Sequence, residues 1–248
     1  MYDAYAHCAA LVREADKDRF LASLFAPAER RPHLHTLYAF DIEIARVAHV
    51  VREPLAGEIR LQWWREALAG RLPGEVAAHP IASALMDTIA QCALPIAPFQ
   101  RLIDTRALDL YDDPLASLDA IETQARQTAS TVFELAARIL DRDASVADVA
   151  GPAGTAATLA ALLQSDVHRR QTSIAPADLT ARARVSLDQA RRHWSAVSAP
   201  ARPAFLSLAL VGAVLIRAER NADPSQPVRL APWRRQWLLW RAARRGVF

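Results

Sequence analysis

Residues 37–68 read LYAFDIEIARVAHVVREPLAGEIRLQWWREAL. Leu37, Phe40, Ile44, Val47 and Val51 recur at spacings of three and four, which puts them on one face of an α-helix and makes that face the core side. Asp41, Glu43, Arg46, His49 and Arg52 take the other faces, and Pro54, lacking a backbone N–H, ends the helix. A second helical segment follows, with Trp63, Trp64 and Leu68 as its large apolar groups. Two such helices joined by a short Pro/Gly-containing turn form an antiparallel pair whose apolar faces need further helices to cover them.

Composition points the same way. The 248 residues are 52% hydrophobic with 7 glycines, and Ala, Leu and Arg dominate, which favours helix over sheet. No run of alternating β-branched residues is bounded by Asn-Gly or Asp-Gly, so no strands are expected. No low-complexity linker divides the chain, so residues 1–248 are expected to form a single domain. A net charge of +3 is too small for a dedicated nucleic-acid binder. Of 30 Lys and Arg residues only Lys17 is lysine; arginine suits planar recognition of phosphate or carboxylate, and a codon bias would leave the same electrostatics. Cys8 and Cys92 are too few for a disulfide framework and are expected as buried thiols in a reducing compartment. The N-terminal stretch has no cationic start before an apolar run, so no signal peptide is expected. The apolar run 204–216 is too short to span a bilayer.

The segment LYAFDIEIARVAHVV resembles the first aspartate-rich helix of the squalene/phytoene synthase family, where Leu-Tyr-Ala-Phe-Cys-Arg precedes DDxxD. Tyr38 keeps the family tyrosine and Arg31 a family arginine. The family's next arginine falls on Ile42, and its three aspartates fall on Ala45, Arg46 and His49. The resemblance runs through roughly residues 18–220 and implies an all-α, single-domain helical bundle of the class I isoprenoid (trans-prenyl) synthase type. In such a bundle a central cavity holds prenyl chains beneath a magnesium-bound diphosphate. The variant Phe-x-x-Glu-Ile-Ala-Arg-Val, with Glu-Pro-x-x-Gly-Glu-Ile-Arg-x-Gln-Trp-Trp, resembles the branch that contains the complex I assembly factor and its bacterial relatives, which implies a non-enzymatic role at a membrane.

Residues 3–15 form an opening helix, and Asp16 or Asp18 caps a second. Residues 70–80 read as a loop, followed by helices at 81–93 and 98–112. The latter ends in DLYDDP, where Asp109, Asp112 and Asp113 at i, i+3 and i+4 offer oxygen ligands to a hard cation or, beside Pro114, form a solvated turn. Residues 117–140 form one long amphipathic helix. The resemblance puts a tyrosine at Gln124, retains Thr128, Ala129 and Ser130, and sets a second DxxxD motif over residues 164–170, where Gln164 and the lone Asp166 stand. Small residues in 150–163 allow close packing. Helices at 178–197 and 201–220 and a loop at 221–232 precede a basic amphipathic helix at 232–245. That tail mixes Trp233, Trp237 and Trp240 with Arg234, Arg235 and Arg241, and reads either as a membrane or partner surface or as a helix packing its tryptophans on the bundle.

The function expected from these readings is non-catalytic: binding of a membrane protein partner or an isoprenoid-like lipid at an anionic membrane surface, in the cytoplasm or peripheral to the inner membrane, with no cofactor. The candidate cavity residues are Arg31, Tyr38, Ala45, Arg46, His49, Thr128, Gln164 and Asp166. The alternative is an active head-to-head prenyl synthase on farnesyl or geranylgeranyl diphosphate. It would hold Mg²⁺ at Asp109, Asp112 and Asp113, or clamp the diphosphate with Arg31 and Arg46 without metal.

Overall fold

The computed structural model describes residues 3–51, 53–111, 117–165, 174–221 and 226–248, and among these all regular structure is helical. The all-α class expected from the sequence holds. Two compact units form, one from Met1–Asp112 with Arg138–Arg142 and the other from Asp113–Ala137 with Asp143–Phe248.

In the first unit, Asp3 starts α1 (Ala4–Ala15) by accepting from the N–H groups of Tyr5 and Ala6, and Asp16 starts α2 (Lys17–Ser23) by accepting from that of Arg19. Then come α3 (Arg31–Val50), α4 (Pro54–Leu68), α5 (Pro73–Ala78), α6 (Pro80–Cys92) and α7 (Ala97–Leu108), with a 3₁₀ turn at Asp109–Tyr111. Proline opens α4, α5 and α6, where the missing N–H needs no partner. Helix α3 packs against α1, α2, α4, α6 and α7, and its Leu37, Phe40, Ile44 and Val47 are buried as their spacing predicts. The Phe40 ring meets Trp64 and Phe99 edge to face at 5.1 and 5.6 Å.

Four expectations in this unit change. Helix α3 stops at Val50, and Val51 caps it half-exposed rather than joining the core face. The predicted loop at 70–80 contains α5. Helix 98–112 ends at Leu108 and tightens into a 3₁₀ turn, so the i, i+3, i+4 face proposed for Asp109, Asp112 and Asp113 does not continue through regular α-helix; Asp112 and Asp113 lie outside the described residues. Asp41, assigned by its charge to an outer face, is 7% exposed. Its burial follows from its register: it stands at i+4 from Leu37 and i−3 from Ile44, between two core residues.

The second unit contains α8 (Leu118–Gln127), most of α9 (Ala129–Leu140), α10 (Ala147–Gln164), α11 (Pro176–Arg192), 3₁₀ turns at Trp194–Ala196 and Ala199–Phe205, α12 (Leu208–Glu219) and α13 (Pro232–Arg245). The long helix expected over 117–140 breaks at Thr128, whose backbone leaves the helical region at φ −111°, ψ −86°. The break fits the contact beside it. Ser130 presses its backbone against Gly154 of α10, where a Cβ would stand 2.4 Å from the Ser130 nitrogen, and its hydroxyl donates to the Gly151 carbonyl at 3.1 Å. Helix α10 also packs on α8, α11 and α12. Ala199–Glu219, longer than the apolar run singled out in the sequence, is long and apolar enough to cross a bilayer by length and composition, yet 56% of its most apolar window is buried within the protein. Pro232 at the first position and Gly246 at φ 66° bound α13, so the tail helix has the expected limits.

Candidate functional site

In the first unit the buried Asp41 is the centre of a five-membered charge ladder. Arg19 of α2 donates Nη1 to Asp41 Oδ2 at 2.8 Å and Nε to Asp16 Oδ2 at 2.5 Å. Arg106 of α7 sets Nη2 3.6 Å from Asp41 Oδ1 and Nη1 3.2 Å from Asp109 Oδ2. Charges therefore alternate through Asp16, Arg19, Asp41, Arg106 and Asp109, stitching α2, α3 and α7 together. Burial alone would raise the Asp41 carboxyl, but the pull of Arg19 and Arg106, with their hydrogen bonds, holds it below the ordinary carboxylate value. The Arg19 guanidinium also lies 5.0 Å over the Tyr38 ring, and burial pushes the Tyr38 phenol up to about 12, so it stays protonated.

Of the candidate residues in this unit, Asp109 belongs to the ladder and Tyr38 lies beside it, whereas Arg31, Ala45, Arg46 and His49 take no part in it. Arg31 donates Nε to the Ala26 carbonyl at 2.9 Å and locks the turn before α3. Tyr38, Ala45 and His49 share a stripe of α3 that emerges progressively, from buried through half-buried to exposed, and Arg46 is exposed beside it. Asp109 faces Arg106. Among the described residues no group of three or more His, Cys, Asp or Glu side chains could hold a metal ion. The ladder residues Arg19, Asp41 and Arg106 were absent from the candidates, and the one signal for them was the carboxylate set between Leu37 and Ile44.

In the second unit Thr128 is buried and donates its hydroxyl to the Gln124 carbonyl at 2.7 Å, so it caps α8. Gln164, at the end of α10, donates to the Ala160 carbonyl at 3.2 Å and accepts from Arg235 Nη2 at 3.0 Å. Asp166 lies outside the described residues. Helix α13 buries Leu239 and Ala242 and leaves Trp233, Trp237 and Trp240 exposed by 70, 47 and 51%. The tail's tryptophans are thus not enclosed, while the helix itself packs through Leu239 and Ala242. Arg241 stacks on Trp237 at 4.8 Å and Arg244 on Trp240 at 5.5 Å, whereas Arg235 turns inward to Gln164 and the Leu230 carbonyl.

The chain is 31% identical over 138 residues to NADH dehydrogenase (ubiquinone) complex I, assembly factor 6 of Rattus norvegicus, a match covering 56% of this chain and 41% of that protein. The match thus spans less than half the length of that assembly factor. The chain superposes on squalene synthase HpnC from Alicyclobacillus acidocaldarius with a TM-score of 0.67 at 25% identity, covering 88% of this chain and 93% of that one. A dehydrosqualene synthase gives 0.72 at 15% identity, covering 98 and 96%, a likeness of fold. The model of squalene/phytoene synthase matches residues 12–171, more than half of the sequence. The chain belongs to the squalene/phytoene synthase family.

Proposed function

We propose that this protein keeps the synthase fold without the synthase reaction, and binds a partner protein or an isoprenoid-like lipid while held at an anionic membrane surface by α13. The observation that carries the reading is the ladder. The guanidinium groups of Arg19, which lies over Tyr38, and of Arg106 already face three carboxylates of the protein itself, so these cationic side chains are neutralised from within. Magnesium would have to sit on carboxylate, phosphate and water oxygens. Among the described residues those at the site do not fit it: Ala45 offers no donor, Arg46 repels a cation, and Asp16, Asp41 and Asp109 are paired with arginines. Likeness to the assembly factor supports the same reading, and the outward tryptophans and arginines of α13 support the membrane surface.

A second reading, an active head-to-head prenyl synthase, draws on the likeness to squalene synthase HpnC over most of both chains. One assay separates the two. Magnesium-dependent release of pyrophosphate from farnesyl or geranylgeranyl diphosphate is expected to be absent, and turnover at roughly 1 per second or faster would sink the non-catalytic reading. Loss of any such activity in Asp109→Ala would assign it to a relocated metal site.

A further inference from the structure

One titratable ring of the first unit touches α4, α5 and α6. Helix α6 opens on His79, whose Nδ1 accepts the Ala82 N–H at 3.2 Å. A backbone N–H can only donate, so this bond fixes the neutral ring with its proton on Nε2. Pro80 has no N–H and the first turn of α6 holds no acidic residue, so that helix end relies on the ring nitrogen. The same ring packs on Trp63 and Trp64 of α4, with centroids 5.1 and 5.4 Å apart. Just before it comes α5, which buries no residue. Helix α5 is held by the bond from Trp63 Nε1 to Glu75 Oε2 at 2.5 Å and by the His79 ring at its end. On the other side the segment leaves α4 through Gly70, at φ 73°, where a Cβ would meet nothing within 4 Å.

We propose that residues 70–79 form a proton-released strap: the neutral His79 ring pins them beside Trp63, and protonation at Nδ1 lets them swing away and bares that indole. Protonation removes the acceptor, and it sets a cation at the positive end of the α6 dipole. The charged ring is therefore expelled from the cap. Of the groups facing it, Glu43 of α3 favours the cation, His7 of α1 opposes it, and Glu75 of α5 is engaged by Trp63. Burial outweighs Glu43 and keeps the ring below the ordinary histidine value, so the strap is closed at neutral pH. The His79 N–H donates to the Glu75 carbonyl at 3.0 Å, so a ring leaving the cap carries the end of α5 with it. Trp63 is half-buried with the strap in place and offers an apolar face once it is gone. Every group involved belongs to the first unit, and the inference stands apart from the membrane and ligand readings.

The test is hydrogen exchange of the full chain at pH 7.5 and 5.5, resolved to the amides of residues 72–82 and corrected for intrinsic rates. A ring that titrates at about 6.5 when free and stays neutral when capped raises the opening equilibrium about tenfold between those values. His79→Asn and His79→Asp each keep a cap acceptor that does not titrate in this range, so in whichever folds the tenfold change should vanish. Glu75→Ala should open the strap further at both pH values and keep the tenfold ratio, since it removes a tether and leaves the proton step. Nitrogen-15 NMR of the wild-type ring should show the Nε2–H tautomer at pH 7.5. The strap is overturned by wild-type opening that is equal at the two pH values, by a tenfold change that survives the His79 substitutions, or by an Nδ1–H tautomer at pH 7.5.

Discussion

The first unit and the C-terminal helix use arginine in opposite ways. Arg19 and Arg106 point inward, a quarter or less exposed, and each is ion-paired with two carboxylates. In α13 no acidic residue is present, and Arg241 and Arg244 lie over exposed tryptophan rings. A single composition, rich in arginine and nearly free of lysine, therefore serves as cement in one region and as surface chemistry in the other. Burial and partners decide which, and each can be broken separately.

The largest effect is expected at the cement. Asp41→Asn leaves two largely buried guanidinium groups without their shared carboxylate, which costs about 3 kcal/mol, the lower end for a broken buried pair because both arginines keep some solvent contact. Thermal melting reads it, and a loss under 1 kcal/mol would mean the ladder behaves like a surface ion pair. Acid should strike the same unit. Asp41 titrates below its unfolded value, so its contribution is complete above about pH 4 and is lost as pH falls through the folded value. Burial lowers His33, His35 and His79 as well, so all three are kept neutral in the fold while the unfolded chain takes up protons near pH 6.5. Their contribution is therefore present above that value and fades below it, before any carboxylate titrates. Hydrogen exchange at pH 7.5 and 5.5, corrected for intrinsic rates, should show α2, α3 and α6 losing protection ahead of α10, α11 and α12. Equal loss in both sets would break the comparison.

A smaller effect is expected where backbone rather than charge makes the contact. A Cβ at Gly154 would meet the nitrogen and Cα of Ser130 at 2.4 and 2.7 Å, and backbone cannot step aside. At Gly57 the obstacle is the Leu110 side chain, 2.3 Å away, which can change rotamer. Gly154→Ala should therefore cost about 1–3 kcal/mol by overpacking, whereas Gly57→Ala should cost less, since helix propensity returns up to about 1 kcal/mol. Equal melting temperatures for the two variants would show that the α9–α10 approach yields more easily than its geometry implies.

The contrast also explains what the sequence could tell. The face of Leu37, Phe40, Ile44 and Val47 was legible because periodicity reports burial on one element. The limits of α13 were legible because Pro232 and Gly246 act locally. Asp41 was misassigned since its partners come from residues 19 and 106, and no pattern within α3 names them. The break at Thr128 was invisible for a similar reason: no proline or glycine interrupts residues 117–140, and the close approach beside the break is made by Gly154 of α10. Short α5 hid in a segment whose prolines and glycines read as loop, although Pro73 also opens a helix. Where a residue's neighbours lie within one or two turns the reading succeeded, and where the deciding partner is distant in sequence it did not.

The smallest expected change in stability is at the surface chemistry, and it carries the largest expected change in binding. Trp237→Ala with Trp240→Ala removes two half-exposed rings and their stacked arginines, each pair worth about 0.5–1 kcal/mol at such sites, so the melting temperature should fall only slightly. Leu239 is fully buried on the opposite face, and Leu239→Ala should cost at least about 2 kcal/mol by leaving a cavity. The two faces of one helix thus predict opposite phenotypes. The tryptophan variant stays folded and loses anionic vesicles, while the leucine variant is destabilised first. Wild-type binding should also fall as salt rises from 0.1 to 1 M, since the screening length shrinks from about 10 to about 3 Å and the arginines lose their reach. If the tryptophan variant instead melts as low as the leucine variant and sediments with vesicles as well as the wild type, those rings are structural, and the distinction between cement and surface fails at α13.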